Sequence, residues 1–250
     1  MRQGLILASV FLTGGFRCSL YLLLAGRILE KKGLLEKRVF LLGAAATGAI
    51  AAVLCLLPVS EYGRMLLEAL WLGGYGAYGL RTDRRMSLFL AAFYELAYAL
   101  WQFLFGAGLG FLLSTDSFVN PLGLNSQAGA WLTLVLFGFL AVYGAKHPDM
   151  TEQENFRLVS LPVLGGFLGI ITLSQEKPAF LSEDVIDVWV MLSLILLIGL
   201  LVFHMNRQYR MEQELARLKA EQAELLERDY QALNQSYGAN ARLFHDVHRH

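Results

Sequence analysis

Two groups of residues in this sequence carry side chains that could do chemistry. The first is the histidine-rich segment Arg242-Leu243-Phe244-His245-Asp246-Val247-His248-Arg249-His250. An imidazole with one unprotonated nitrogen is a nucleophile and a proton carrier, and it is also a common metal ligand. A His-Asp pair alone does not choose between these chemistries. A metal cluster stays open as an alternative, since His245 and His248 share a helix face.

The second group consists of polar residues inside long apolar stretches, namely Arg17, Glu68, Glu95 and Gln102. An unpaired charge near the centre of a bilayer costs at least ~2.5 kcal/mol, so each residue should face the interior of a helix bundle. Glu95 and Gln102 are seven residues apart and therefore share one helix face. The group predicts a ligand pocket or an ion pair of Arg17 with Glu68 or Glu95. A purely structural pair, or one that reaches the membrane interface, is the alternative.

The composition indicates what must position these residues. Hydrophobic residues make up 56% of the 250-residue chain and charged residues 17%, and the mean hydropathy is +0.47. Apolar runs close to the roughly 20 residues needed to cross hydrocarbon alternate with short polar connections. We therefore expect an all-α, polytopic membrane bundle of about seven spans, at Leu5–Gly26, Val39–Val59, Met65–Leu80, Leu88–Leu113, Ala128–Ala145, Leu158–Leu173 and Val185–Phe203.

The distribution of basic residues predicts how the spans are oriented, because Lys and Arg gather in cytoplasmic loops. The first, third and fifth connections and the segment after the last span hold Arg27, Lys31, Lys32, Lys37, Arg38, Arg81, Arg84, Arg85, Lys146, Arg157, Arg207 and Arg210. The other connections are poor in them. The pattern predicts a multi-pass plasma-membrane protein with its N-terminus outside and its C-terminus in the cytoplasm. A re-entrant sixth segment, which contains Pro162, would change this topology.

Composition also excludes some classes of function. The formal net charge is zero, and the charges lie mainly in connections and after Phe203, so no basic face for nucleic acid is expected. Cys18 and Cys55 stand alone inside apolar runs and are expected to be packing residues rather than a metal or redox site.

After Phe203 the sequence changes to strong helix formers. A 4-3-4-3 spacing joins Met211, Leu215, Leu218, Gln222 and Leu225, and it resumes from Leu226 to Phe244 after a one-residue skip. Two of its core positions, Gln222 and Asn240, are polar. This pattern predicts a parallel coiled coil, hence a homodimer; a single amphipathic helix packed on another domain is the alternative. The predicted organisation is a membrane domain at 1–203, a cytoplasmic signalling helix at 204–241 and the start of a further functional helix at 242–250.

That last segment resembles the phosphotransfer helix of the GHKL-type sensor histidine kinases, in particular the Agr-type peptide-pheromone receptor kinases, with the motif His-Asp/Glu-x-x-Asn-His. The resemblance implies that His245 is the phosphoacceptor, that Asp246 is its general base, and that His250 is the closing histidine. Arg249 stands where the family usually has Asn, which puts phosphatase activity in doubt. A carboxylate beside the imidazole suits this chemistry, since it can hold one ring N–H and stabilise the developing cation.

The resemblance implies a two-component receptor that detects an unknown signal ligand and passes phosphate to a cytoplasmic response regulator. The signal could be a secreted peptide, although the external connections are short, so a lipophilic molecule or a membrane state is equally open. ATP and Mg²⁺ are expected to bind not in these 250 residues but in a kinase domain encoded after them. The competing hypothesis is a transporter or channel subunit, or a membrane scaffold, with a cytoplasmic assembly coil.

Overall fold

The structure, a computed structural model, describes residues 2–29, 37–113, 123–147, 152–176 and 181–247. These residues form helices and turns without any strand. The helices are α1 (Arg2–Ile28), α2 (Lys37–Leu56), α3 (Glu61–Gly79), α4 (Arg84–Leu113), α5 (Leu124–Lys146), α6 (Glu152–Glu176) and α7 (Glu183–Val247). Each predicted span falls on one of them. The prediction of an all-α helical membrane bundle is therefore confirmed.

Among the described residues, six helices are long and apolar enough to cross a membrane, and α3 is the exception. The 19 residues of α3 include Arg64 and Glu68 together with many glycines and tyrosines, which lower its hydropathy. α6 is one continuous helix of 25 residues with Pro162 inside it. Its stretch Leu158–Glu176 is one of the six that are long and apolar enough to cross a membrane. The sixth predicted span is thus long enough to cross a membrane.

Local sequence explains where α3 begins and ends. Ser60, in an extended conformation, caps its N-terminus by accepting a hydrogen bond from the Gly63 N–H at 3.2 Å. Beyond its C-terminus Arg81 takes a left-handed conformation with φ 47°, which turns the chain sharply into α4. A connection this short makes α3 and α4 antiparallel neighbours.

α4 packs against α1, α3, α5 and α6. It sends at least one polar side chain to each of these neighbours. The Ser87 hydroxyl donates to the Gly73 carbonyl of α3 at 2.6 Å, and the Tyr94 hydroxyl donates to the Arg17 carbonyl of α1 at 3.1 Å. The Tyr98 hydroxyl donates to the Ala130 carbonyl of α5 at 3.1 Å, and the Trp101 indole donates to the Pro162 carbonyl of α6 at 2.8 Å. Such hydrogen bonds and close packing, rather than a hydrophobic effect, hold helices together in lipid.

Small residues bring α2 close to α1 and α5 close to α4. A methyl group at Gly48 would come within 2.5 Å of the Phe11 carbonyl oxygen, and one at Gly129 within 2.9 Å of the Gln102 carbonyl oxygen. Both collisions involve backbone atoms, which cannot move aside. Glycine is therefore required at these two crossings.

The chain divides into two compact units, residues 1–200 and 201–250, and α7 contributes to both. In the first unit α7 buries a stripe that includes Trp189, Ser193 and Leu196. The Trp189 ring stacks on Phe103 of α4 with centroids 4.8 Å apart. In the second unit the described side chains are mostly exposed. The division lies close to Phe203, where the membrane domain was predicted to end.

Candidate functional site

Three of the predicted intramembrane residues meet in the interior of the first unit. Arg17 of α1 forms a hydrogen-bonded ion pair with Glu68 of α3, and its Nη2 atom lies 3.1 Å from Oε2 of Glu95 on α4. The side chains of Arg17, Glu68 and Glu95 are 13%, 11% and 2% exposed. The sequence left open whether Arg17 pairs with Glu68 or with Glu95, and in the structure it pairs with both.

Tyrosines of α4 complete this charged cluster of Arg17, Glu68 and Glu95. The Tyr98 ring lies under the guanidinium, with its centroid 4.9 Å from Cζ of Arg17, a distance at which the ring face attracts a cation. Tyr94 is one turn away on the same helix and donates to the backbone carbonyl of Arg17. Both tyrosines are buried. The arginine is therefore held by two carboxylates, one aromatic face and a hydrogen bond to its own backbone.

Two atoms of the charged cluster have no hydrogen-bond partner among the described residues: Nε of Arg17 and Oε1 of Glu95. Two carboxylates also face a single guanidinium. A buried carboxylate is strongly disfavoured as an anion unless it is paired and hydrogen-bonded. Chemically, the cluster can tie three helices together, and its free carboxylate oxygen can accept a hydrogen bond, a proton or a small cation.

Gln102, the fourth predicted intramembrane residue, does not join this cluster. Its amide nitrogen lies 3.5 Å from the Ser126 hydroxyl of α5, at the limit of a hydrogen bond, and the side chain is half-buried. The shared helix face with Glu95 did not bring the two side chains to a common partner. Gln102 belongs to the contact between α4 and α5.

A partly open cavity lies beside the charged cluster and was not predicted. The volume inside it that a water-sized sphere can reach is about 50 Å³, and it lies between α1, α4, α5 and α6. Almost no polar atom lines it. Its walls include Leu24, Phe93, Ala97, Phe137, Leu158 and Val163. The cavity is therefore smaller than the usual small-molecule site of about 300–1,000 Å³, and it has room for several methylene groups rather than for a whole ligand.

Tyr21 and Tyr94 line this apolar cavity while their hydroxyl groups are engaged elsewhere. The Tyr21 hydroxyl lies 3.1 Å from both the carbonyl and the hydroxyl oxygen of Ser87, and the Tyr94 hydroxyl donates to the Arg17 carbonyl. Their rings pack against each other with centroids 5.6 Å apart. The pair thus presents carbon to the cavity and keeps its oxygen atoms hydrogen-bonded outside it.

One wall residue of the cavity also lies next to α7. Phe93 lines the cavity, and a methyl group placed at Gly199 of α7 would lie 3.9 Å from Cδ2 of the Phe93 ring, an ordinary van der Waals contact. Both residues belong to the first unit. Phe93 therefore stands between the space inside the bundle and the helix that leads to residue 247.

Arg27, predicted to mark the first connection, instead lies in the last turn of α1. Its guanidinium donates to the Gly144 carbonyl and, at 2.7 Å, to the His147 carbonyl at the end of α5. Carbonyls in the last turn of a helix have no partner within the helix, and a basic side chain can satisfy them. Arg27 fastens α1 to α5 at the end of the bundle nearest the cavity residue Ile28.

The predicted phosphotransfer residues fall where little is described. His245 and Asp246 lie within α7, but their side chains are outside the described part of the chain, as are residues 248–250. Comparisons with known protein families, with curated proteins and with solved structures gave no match. The kinase resemblance therefore stays a prediction that depends on residues 242–250 and on the order of the elements.

Proposed function

We propose that this chain is the signal-receiving membrane region of a receptor histidine kinase, with His245 as phosphoacceptor and Asp246 as its general base. The observation that best supports the proposal is α7, a single helix from Glu183 to Val247. Residues 183–200 of α7 belong to the membrane bundle, and its last residues include the His-Asp motif. One helix can thus pass a shift or rotation at the bundle to the site of phosphotransfer.

The proposal places the protein in the plasma membrane, with the N-terminus outside and residues 204–250 in the cytoplasm, where a response regulator would take the phosphate. This orientation requires α3 to cross the bilayer although its hydropathy is low. Its buried carboxylate supports a crossing, because Glu68 is paired with Arg17 and does not face lipid unpaired.

The proposal also includes a homodimer formed by α7. Met211, Leu215, Leu218 and Leu225 are between 45% and 59% exposed in the single chain, although they are apolar and heptad-spaced. A second copy of the helix would bury this seam. Cysteine at Leu218 should therefore crosslink between chains in membranes, whereas cysteine at the exposed Glu221 should not. The reverse result would contradict the parallel coil.

The deciding experiment measures acid-labile phosphate on membranes that contain this region joined to whatever the gene encodes after residue 250, supplied with labelled ATP. We expect His245→Gln to abolish labelling and Asp246→Asn to reduce it by roughly 10²–10⁴-fold, the usual contribution of a general base. His248→Gln is the matched control and should have a mild effect. Undiminished labelling of His245→Gln would overturn the assignment, as would a gene with no ATP-binding region.

A transporter or channel subunit is the second candidate, and the charged cluster is the observation that favours it. Buried ionisable residues in membrane helices often mark ion or proton pathways. Vesicles that contain the purified chain and a pH-sensitive dye would reveal this activity. A proton flux that Glu95→Gln removes would support the transporter, and its absence would leave the cluster a structural element.

A further inference from the structure

We infer that the cavity between α1, α4, α5 and α6 binds part of a single aliphatic chain and that its occupancy is sensed by α7 through Phe93. The binding step depends on the cavity alone. Only its consequence for His245 depends on the proposed function.

The walls of the cavity determine the chemistry of its ligand. A polar ligand group in the cavity would lose its hydrogen bonds to water and gain none from the walls, which include Leu24, Ala97, Phe137 and Val163. Each such group would lower the affinity of the ligand severalfold or more. The nearest hydroxyl groups, those of Tyr21 and Tyr94, are already hydrogen-bonded outside the cavity. A saturated or unsaturated hydrocarbon chain has no such requirement.

The position of the cavity is compatible with supply of that chain from the membrane. Its wall residues Ile28, Leu140 and Leu158 lie near the end of α1, near the end of α5 and near the start of α6. These positions are at the same end of the bundle, the end that the distribution of basic residues places toward the cytoplasm. Ile28 and Leu140 are only half-buried, as expected beside the open mouth. A chain lying in the inner leaflet would meet this mouth directly.

Phe93 gives the ligand a route to α7. An aliphatic chain in the cavity would pack against the Phe93 ring, and the backbone of Gly199 on α7 lies close to the same ring. Packed interiors respond to added volume by discrete repacking and not by smooth compression. Because glycine has no side chain, a methyl-sized space separates the ring from the backbone of α7. Movement of the ring toward α7 would first fill this space and then press on the helix at Gly199.

The experiment uses the purified chain in vesicles of dioleoyl phosphatidylcholine and two photoactivatable probes with a diazirine in mid-chain: free palmitic acid, and phosphatidylcholine carrying the same group in an acyl chain. Labelled positions are identified by mass spectrometry. Both probes dissolve in the bilayer, so we expect background labelling of the exposed Leu161 and, in addition, labelling of Leu158 and Val163 on the cavity wall.

Cavity-filling variants provide the control. Ala97 lines the cavity, whereas Ala92 lies on the exposed surface of the same helix. Ala97→Phe should lower cavity labelling at least tenfold, since each displaced methylene group weakens binding by about fourfold, whereas Ala92→Phe should leave it unchanged. Ala25→Leu fills the cavity from α1 and serves as a second variant if Ala97→Phe does not fold, as judged by size-exclusion chromatography.

The two probes identify the source of the chain. Labelling by free palmitic acid that excess unlabelled palmitate removes would indicate a diffusible lipophilic ligand, and labelling by the phospholipid probe alone would indicate the tail of a membrane lipid. Either result supports the inference. Equal labelling of the cavity wall in folded Ala97→Phe, Ala92→Phe and unmodified protein would overturn it. A result for His245→Gln that contradicts the kinase would not, because binding is measured without phosphorylation.

Discussion

The charged cluster and the apolar cavity are neighbours in the same bundle, because Tyr94 lines the cavity and donates to the Arg17 carbonyl, and they are built on opposite principles. In the cluster, Arg17, Glu68 and Glu95 come from three helices and have defined partners. In the cavity, four helices contribute carbon surfaces with no directional contact. The comparison suggests that the polar residues stabilise the fold, while the residues without functional groups form the space that can accept a ligand.

The largest expected effect tests the structural side of this comparison. Arg17→Met leaves the buried carboxylates of Glu68 and Glu95 without their cation. Removing one partner of a buried ion pair costs about 3–5 kcal/mol, so we expect the variant to unfold at much lower denaturant. Titration with sodium dodecyl sulfate in mixed micelles measures this loss. Arg85→Met, at an exposed position of α4, is the control and should change stability little. Equal stability of both variants would show that the cluster does not hold the bundle.

A second variant separates the charge from the loss of contacts. In the triple variant Arg17→Met, Glu68→Gln and Glu95→Gln, no uncompensated charge is left in the interior. The remaining loss should be about 1–3 kcal/mol, the cost of buried polar groups with incomplete hydrogen bonds. The triple variant should therefore be more stable than Arg17→Met alone in the same titration. If it is less stable, the pairing is a net source of stability and not a requirement created by the buried carboxylates.

The third prediction tests the cavity side and its link to α7. Gly199→Leu should press on Phe93 and push its ring into the cavity, whereas Gly199→Ala adds only a methyl group at an ordinary contact distance of 3.9 Å. Overpacking of this kind costs about 1–3 kcal/mol, so labelling of the cavity by the palmitic acid probe should fall by roughly 5- to 150-fold in Gly199→Leu. Gly199→Ala should label normally. Equal labelling of the two variants would mean that Phe93 does not couple α7 to the cavity.

The two regions differed in how far the sequence could predict them. Arg17, Glu68 and Glu95 were identifiable because a charge in an apolar stretch requires a partner. The helices themselves follow from length and hydropathy, and their observed bounds extend the predicted spans by a few residues, as for α1 and α4. That Arg17 binds both carboxylates depends on the angles at which α1, α3 and α4 cross, and no sequence pattern gives these angles.

The cavity could not have been predicted in this way, because an apolar wall and an apolar core have the same composition. Leu24, Phe137 and Val163 read as ordinary packing residues, and only their arrangement leaves a space. Tyr94 and Tyr98 are a weak sequence signal for the aromatic neighbours of the charged cluster. They lie on either side of Glu95 in the sequence and one turn apart on α4, so a buried glutamate on that face would be expected to have aromatic neighbours.

The smallest expected effect concerns ion pairs of the second unit, in contrast to the buried cluster. Glu224 accepts a hydrogen bond from Arg228 at 2.5 Å, and Arg217 pairs with Glu221 at 2.9 Å, but these side chains are between 53% and 81% exposed. Exposed pairs one turn apart contribute about 0.3–0.5 kcal/mol, and a glutamate that precedes its basic partner is better placed against the helix dipole than the reverse order. Glu224→Gln should therefore speed amide hydrogen exchange in residues 220–232 of the intact chain by about twofold. Added salt should reduce this difference in exchange rate between the variant and the unmodified chain, because salt screens exposed charges. Glu221→Gln, which breaks the pair of reversed order, should have a smaller effect. A loss of stability in Glu224→Gln as large as that in Arg17→Met would mean that this ion pair is buried, as it would be if the second chain of the dimer covered it.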